Sequence, residues 1–292
     1  MTHAYQHIHC DPAIGPVGAV ITGIDLAAPI KAEVLAEVKQ AWYTHHVLFF
    51  PGQSLSPGQQ AAFAAHFGSL DVYPFMQAVD SQPNVIAIIK EANAKMNFGG
   101  AWHTDTSYLP KPPMATLLYA VEVPDAGGDT MFADATAAYA DLSAGMQKML
   151  SSHTGIYSPK VVHGQGGAYA DLAAKSADLG AYGTASEAAR VFAESEVEHP
   201  LIRTHPATGK KSIYCSRPHT HRIKDMTREE SLPIFDYLQA HLTQDKYVTR
   251  FKWTRGDLAM WDNRCLFHYA LNDYHGKRRQ MHRVIVQGER PV

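Results

Sequence analysis

The tetrapeptide Trp102-His103-Thr104-Asp105 sets an imidazole and a carboxylate two positions apart. On an extended segment that spacing sends both side chains to one face, where they could reach a single cation. Alone the triplet says little, because a surface His-x-Asp pair arises often by chance. Far downstream, Leu258-Ala259-Met260-Trp261 reads as an apolar strand, after which Asp262-Asn263-Arg264-Cys265-Leu266-Phe267-His268 turns and presents a second imidazole. Two imidazoles and one carboxylate hold a metal by one face and leave three adjacent coordination positions open, the arrangement of non-haem iron(II) sites. That openness would let a bidentate 2-oxo acid and dioxygen bind the same ion, which a closed four-ligand zinc site could not.

A second group follows in Lys277-Arg278-Arg279-Gln280-Met281-His282-Arg283-Val284-Ile285-Val286. On a strand, Arg279, Met281 and Arg283 share a face, so two guanidinium groups point the same way. Burying arginine without an acid is costly, and its planar fork suits a carboxylate, so an inward pair implies an anionic cofactor or substrate. Gly127-Gly128-Asp129-Thr130 is a glycine turn followed by a hydroxyl, and in isolation it says only that the chain bends there.

The elements that must position these residues are legible in outline. Val34, Leu35, Val38, Ala41 and Trp42 fall at helical spacing over 31–44, followed by a buried strand Val47-Leu48-Phe49-Phe50 that ends at Pro51-Gly52. Ser56-Pro57 opens a helix that Gly68 stops, carrying Ala61, Phe63, Ala64 and Phe67. Strands are expected at 85–89, 114–123, 212–215, 258–261 and 284–287. Thr227 and Glu230 form a capping box before a helix bearing Leu232, Phe235, Leu238 and Leu242. Residues 158–194 are rich in Ala and Gly with weak periodicity and read as an excursion from the core, either a lid or a surface elaboration. Strands without regular βαβ alternation imply a mainly β, antiparallel core with flanking helices. At 292 residues a single elaborated domain, 1–292, is expected.

Composition excludes several classes. A net charge of -2, with Lys and Arg dispersed, offers no long-range attraction to nucleic acid or an anionic membrane. A mean hydropathy of -0.22 leaves no room for a membrane bundle, and no signal peptide precedes Pro12, so a cytoplasmic location is expected. Cys10, Cys215 and Cys265 form neither a CxxC pair nor a disulfide framework. Symmetry statistics favour a homo-oligomer, a dimer or tetramer.

Taken together, the chain resembles the taurine dioxygenase and 2,4-dichlorophenoxyacetate dioxygenase family. The resemblance rests on Ile21-Thr22-Gly23-Ile24-Asp25-Leu26, Leu48-Phe49-Phe50-Pro51-Gly52-Gln53, Trp102-His103-Thr104-Asp105, Gly127-Gly128-Asp129-Thr130, Trp261-Asp262-Asn263-Arg264, His268 and Arg279 to Arg283. It implies a double-stranded β-helix (jelly-roll, cupin-like) core and a dioxygenase that uses iron(II), 2-oxoglutarate and O2, hydroxylates a small substrate, and releases succinate and CO2. By that resemblance His103, Asp105 and His268 are the catalytic metal ligands, and Thr130 and Arg279 hold the distal carboxylate of 2-oxoglutarate. Arg283 then lies near the metal-bound end of the co-substrate or the substrate's acid group. Because related halogenases replace the carboxylate ligand with a small residue, Asp105 favours hydroxylation. On the substrate side the sequence departs from taurine dioxygenases, with Asp71 and Gly99 where they carry His and Asn, so taurine itself is disfavoured. Arg217 and His219 in Tyr214-Cys215-Ser216-Arg217-Pro218-His219 suit a polar or anionic moiety, a sulfonate, carboxylate or aryloxyacid. Tyr73, Trp102 and Thr106 could line the same pocket.

Two other readings compete. A cupin-like metal-binding barrel, binder or isomerase, would share the fold and triad but need neither arginine nor Thr130. A dinucleotide-dependent oxidoreductase finds only Gly164-Gln165-Gly166-Gly167, with Tyr169 where the fingerprint needs its last glycine.

Overall fold

The computed structural model describes residues 5–12, 14–72, 78–80, 82–160 and 194–292. Among them an eight-stranded sheet runs in the order β1-β2-β3-β14-β6-β16-β5-β4. Its strands are β1 (His9–Asp11), β2 (Ala19–Thr22), β3 (Val47–Phe50), β4 (Ala78–Val79), β5 (Gln82–Lys90), β6 (Ala115–Glu122), β14 (Leu258–Asp262) and β16 (Arg279–Val286). Pairing is antiparallel except between β2 and β3. A three-stranded sheet orders β13 (Val248–Phe251), β7 (Thr130–Asp134) and β15 (Leu266–Ala270). Smaller sheets join β12 (Thr220–Ile223), β8 (Thr154–Tyr157) and β9 (Val197–Pro200), and β10 (Ile202–Thr204) with β11 (Lys211–Ile213).

Side-chain alternation on the large sheet decides the layering. Val47 and Phe49 of β3, Leu118 and Ala120 of β6, Ala259 and Trp261 of β14 and Met281 of β16 face the small sheet. There they pack with Phe132, Phe251 and Leu266 in one core cluster, and the Phe49 and Phe251 rings stack with centroids 4.0 Å apart. The alternate residues Leu48, Phe50, Leu117, Leu258, Met260, Val284 and Val286 face α1 (Ala32–His45) and α2 (Pro57–Ala65), meeting Val38, Ala41, Trp42, Phe63 and Ala64. The far face of the small sheet, through Ala133 and Phe267, is covered by α3 (Ala135–Ala140), α4 (Ala144–Ser151) and α5 (Arg228–Leu242).

The caps expected from the sequence are in place. Ser56 and Gln59 form a reciprocal capping box with Pro57 in the first turn of α2, and Thr227 and Glu230 do the same for α5. Helix α2 ends at Ala65, so Phe67 packs from the following turn while remaining in the core. The strand expected at 284–287 begins earlier, at Arg279, because the alternation of inward residues continues back through Met281.

Candidate active site

One expectation needs correcting. The His103–Asp105 segment is not a strand, since only His103 makes an isolated antiparallel bridge, to His268, and Asp105 already begins a turn. The backbone exchanges His103 N–H to His268 O at 3.1 Å and His268 N–H to His103 O at 2.8 Å. That pair sets the two imidazoles side by side with ring centroids 4.2 Å apart. The turn then brings Asp105 Oδ1 to 3.8 Å from both His103 Nε2 and His268 Nε2. The three side chains are buried, and their ligand atoms lie within 4.8 Å of one another.

Hydrogen bonding fixes which atoms face inward. The Ala101 carbonyl can only accept, so His103 Nδ1 donates to it at 2.7 Å and the Nε2 lone pair is left for a cation. On the carboxylate, Oδ2 accepts from the Thr116 hydroxyl at 2.6 Å, which leaves Oδ1 toward the imidazoles. Arg283 Nη1 stands 3.8 Å from the same Oδ1.

The charge states suit a divalent metal. Burial pushes the His268 imidazole down to about 3, helped by the neighbouring His103 and opposed by Asp105. Burial also lowers His103, so both rings are neutral ligands at pH 7. Burial alone would raise the Asp105 carboxyl. His268, Arg283, His103 and the Thr116 hydroxyl outweigh it and bring the group to about 2, so the carboxylate is ionised. Two neutral imidazoles and one carboxylate are the donor set the site chemistry calls for.

On the same face of β16 as Arg283, Arg279 is only 7% exposed. Burial lowers its pKa, opposed by Tyr274 and Asp129. Its Nε and Nη2 have no hydrogen-bond partner among the described residues, and its guanidinium lies 5.9 Å from the Trp253 ring. Trp253 Nε1 donates to Thr130 Oγ1 at 2.9 Å, so that hydroxyl keeps its own hydrogen to donate. Gly128 explains the glycine turn: its φ is +73°, and a Cβ there would stand 3.3 Å from Arg279 Cδ. A buried guanidinium with two nitrogens unbonded among the described residues, near a hydroxyl free to donate, suits an anionic ligand.

The residues named for the substrate side separate. His219 is buried, with its ring centroid 5.8 Å from that of His103 and 4.8 Å from that of Tyr108, and its Nδ1 is 3.1 Å from Ser107 Oγ. Thr106 is buried in the turn after Asp105 with φ +38°. Trp102 packs on Tyr269 at 5.7 Å and joins the cluster under α3 and α5. Arg217 instead pairs with Asp236 of α5 at 2.8 Å and is 35% exposed. Tyr73, the 164–167 glycines and most of 158–194 lie outside the described residues. His221, two positions beyond His219, is engaged elsewhere: its Nδ1 accepts from Arg228 Nη1 at 2.9 Å.

Reading the sequence missed Ser107, Tyr108, Thr116 and the contacts of Asn263 with Thr116 and the Asp105 backbone. A signal existed for Thr116, the single aliphatic hydroxyl in the hydrophobic run Ala115–Val121. A second cluster, His205, Asp262 and Cys265, has metal-like composition but is a closed structural network. Asp262 Oδ1 accepts from Arg264 N and Nε at 2.9 and 2.8 Å, and Oδ2 from Arg264 Nη2 and His205 Nε2 at 2.6 and 3.0 Å. Its lone pairs are spent.

The known proteins that the chain resembles are dioxygenases. The sequence model described as "Taurine catabolism dioxygenase TauD, TfdA family" matches residues 9–285. The chain is 30% identical to the alpha-ketoglutarate-dependent sulfate ester dioxygenase of Pseudomonas putida, over 99% of this chain and 92% of that protein. It is 32% identical to the (S)-phenoxypropionate/alpha-ketoglutarate-dioxygenase of Sphingobium herbicidovorans, over 89% of this chain and 88% of the relative. The crystal structure of a taurine dioxygenase from Burkholderia xenovorans superposes with a TM-score of 0.80 at 29% identity, covering 98% of this chain and 91% of that one.

Proposed function

The chain belongs to the TauD, TfdA family of alpha-ketoglutarate-dependent dioxygenases, and from that membership we propose that His103, Asp105 and His268 hold iron(II) at its active centre. Thr130 and Arg279 then bind the distal carboxylate of 2-oxoglutarate. Arg283 faces the metal-bound end of the co-substrate or the acid group of the substrate. When bound, the metal supplies oxygen activation coupled to decarboxylation of the 2-oxo acid to succinate and CO2. The protein's part is to present two neutral imidazoles and one ionised carboxylate oxygen, to keep one co-substrate end in a buried cationic pocket, and to hold the remaining face open. The observation that carries this reading is the approach of three buried ligand atoms within 4.8 Å, with Arg279 on the same face of β16 as Met281 and Arg283 and its Nε and Nη2 without a hydrogen-bond partner among the described residues.

The same reading gives the core a double-stranded β-helix form, supported by the large and small sheets facing each other across a shared apolar cluster. It makes residues 1–292 one dioxygenase domain with an elaboration at 158–194. The substrate is a small anionic molecule, a sulfate ester, sulfonate or aryloxyacid, as the relatives' names record for those proteins. His219, near the triad, is the better placed of the two polar residues suggested for it, since Arg217 is engaged by Asp236. Thr106, Trp102 and Tyr73 complete the proposed lining. A cytoplasmic homo-oligomer is part of the same reading, with three free cysteines in the chain.

The test mixes anaerobic protein with iron(II) and 2-oxoglutarate and follows the visible metal-to-ligand charge-transfer band, then screens sulfate esters, sulfonates and aryloxyacids for stimulated succinate release. The band should form in the wild type and vanish in His103→Ala. Metal binding without a band or 2-oxoglutarate affinity would overturn the assignment.

A further inference from the structure

One oxygen of Asp105 is committed to a hydrogen bond within the protein. Oδ2 accepts from the Thr116 hydroxyl at 2.6 Å, and Thr116 Oγ1 in turn accepts from Asn263 Nδ2 at 2.9 Å. Asn263 Oδ1 accepts from Trp261 Nε1 at 2.9 Å and from the Asp105 backbone N–H at 3.3 Å. Thr104 Oγ1 closes the loop by donating to the Asn263 carbonyl at 2.6 Å. Every member is buried.

The direction of each bond is fixed by chemistry. An indole N–H and a backbone N–H can only donate, so the Asn263 atom they meet is its oxygen, and the other end is the NH2 group. That NH2 donates to Thr116, and an ionised carboxylate can only accept, so the threonine hydrogen goes to Asp105 Oδ2. No alternative set of proton positions satisfies all five groups. Register supplies the geometry: Thr116 of β6 pairs with Trp261 of β14, putting the hydroxyl beside the turn that carries Asn263.

We propose that Thr116 and Asn263 are positioning residues that restrict Asp105 to ligation through Oδ1 alone. A carboxylate free to rotate could also offer Oδ2 and occupy a second coordination position, one the bidentate 2-oxo acid needs. With Oδ2 bonded, Oδ1 is the atom turned toward His103 Nε2 and His268 Nε2. The proposal rests on the metal-ligand reading above and adds a cause for the open face. A merely structural tie would hold the 105 and 263 turns together without altering coordination.

The experiment uses the full chain loaded with cobalt(II), whose visible d–d bands report coordination number. Thr116→Val removes the hydroxyl at nearly constant shape, and Thr116→Ser restores it. Expected are an altered cobalt spectrum and an anaerobic 2-oxoglutarate Kd weakened about tenfold or more in Thr116→Val, the range typical of ligand-orienting partners, with Thr116→Ser close to wild type in both. Should Thr116→Val not fold, Asn263→Asp is read the same way: it keeps acceptors for Trp261 and Asp105 N–H but turns the donor facing Thr116 into an acceptor. A folded Thr116→Val or Asn263→Asp with the wild-type spectrum and wild-type 2-oxoglutarate Kd overturns the proposal alone. Failure of the wild type to bind cobalt in a His103-dependent way overturns the metal reading beneath it.

Discussion

Replacing Arg279 with Met should strengthen the metal-free fold and cripple co-substrate binding. The guanidinium is 7% exposed, two of its nitrogens have no acceptor among the described residues, and the nearby Asp129 already accepts from Arg250 at 2.6 Å. An apolar side chain of similar length in place of such a buried charge is neutral to stabilising by about 1–4 kcal/mol. In a chain of this size each kcal/mol moves Tm by roughly 2–4 °C. On the ligand side, two charge-assisted bonds to a carboxylate disappear, each worth about 1.5–3 kcal/mol. Their loss corresponds to a Kd raised about 10²- to 10⁴-fold. The assay pairs thermal unfolding in chelator with anaerobic titration of 2-oxoglutarate followed by the charge-transfer band. A metal-free Tm that falls, or 2-oxoglutarate binding within threefold of wild type, refutes the argument that this arginine waits for an anion.

Gly128→Ala should lose about 1–2 kcal/mol of stability to its left-handed backbone and weaken 2-oxoglutarate binding, because the new Cβ would meet Arg279 Cδ at 3.3 Å and Tyr274 Cδ1 at 3.2 Å. Thermal unfolding and the same titration check both. Asp262→Ala leaves the buried Arg264 guanidinium without its bidentate acceptor and should cost about 3–5 kcal/mol in urea unfolding. His199 is the pH probe. Burial lowers its imidazole to about 4, so between pH 6.5 and 4 the unfolded chain binds a proton that the folded protein does not. Stability should therefore fall on acidification through that window, by about 1.4 kcal/mol per pH unit for this group, and level off below it. His199→Gln, which keeps a donor for the Leu109 carbonyl, should flatten the slope of Tm against pH between 6.5 and 4.

Much of the site was legible because its chemistry sits in short, ordered motifs. His103, Asp105 and His268 are distinguishable from the other fifteen histidines and the scattered acids because residue type and local spacing restrict what each can do. The inward arginines of β16 follow from the period of two in any strand, which depends only on local backbone geometry. Helix caps at Ser56 and Thr227 were equally local, since a side-chain oxygen meets an N–H three residues away.

What the chain alone did not reveal depends on residues brought together from far apart. The backbone bridge between His103 and His268 sets the triad, and nothing in the His-x-Asp spacing showed that Asp105 leaves the extended path for a turn. Arg217 and His219 are two positions apart and looked equivalent, yet Asp236 on α5 claims one while Ser107 and Tyr108 border the other. Thr116 and Asn263, 147 positions apart, touch only because β6 and β14 pair in one register. Sequence by itself determined which groups can ligate, cap and alternate, since those properties are local. Tertiary structure decided which oxygen, which face and which neighbour each group meets, because register and sheet packing are fixed by the whole core at once.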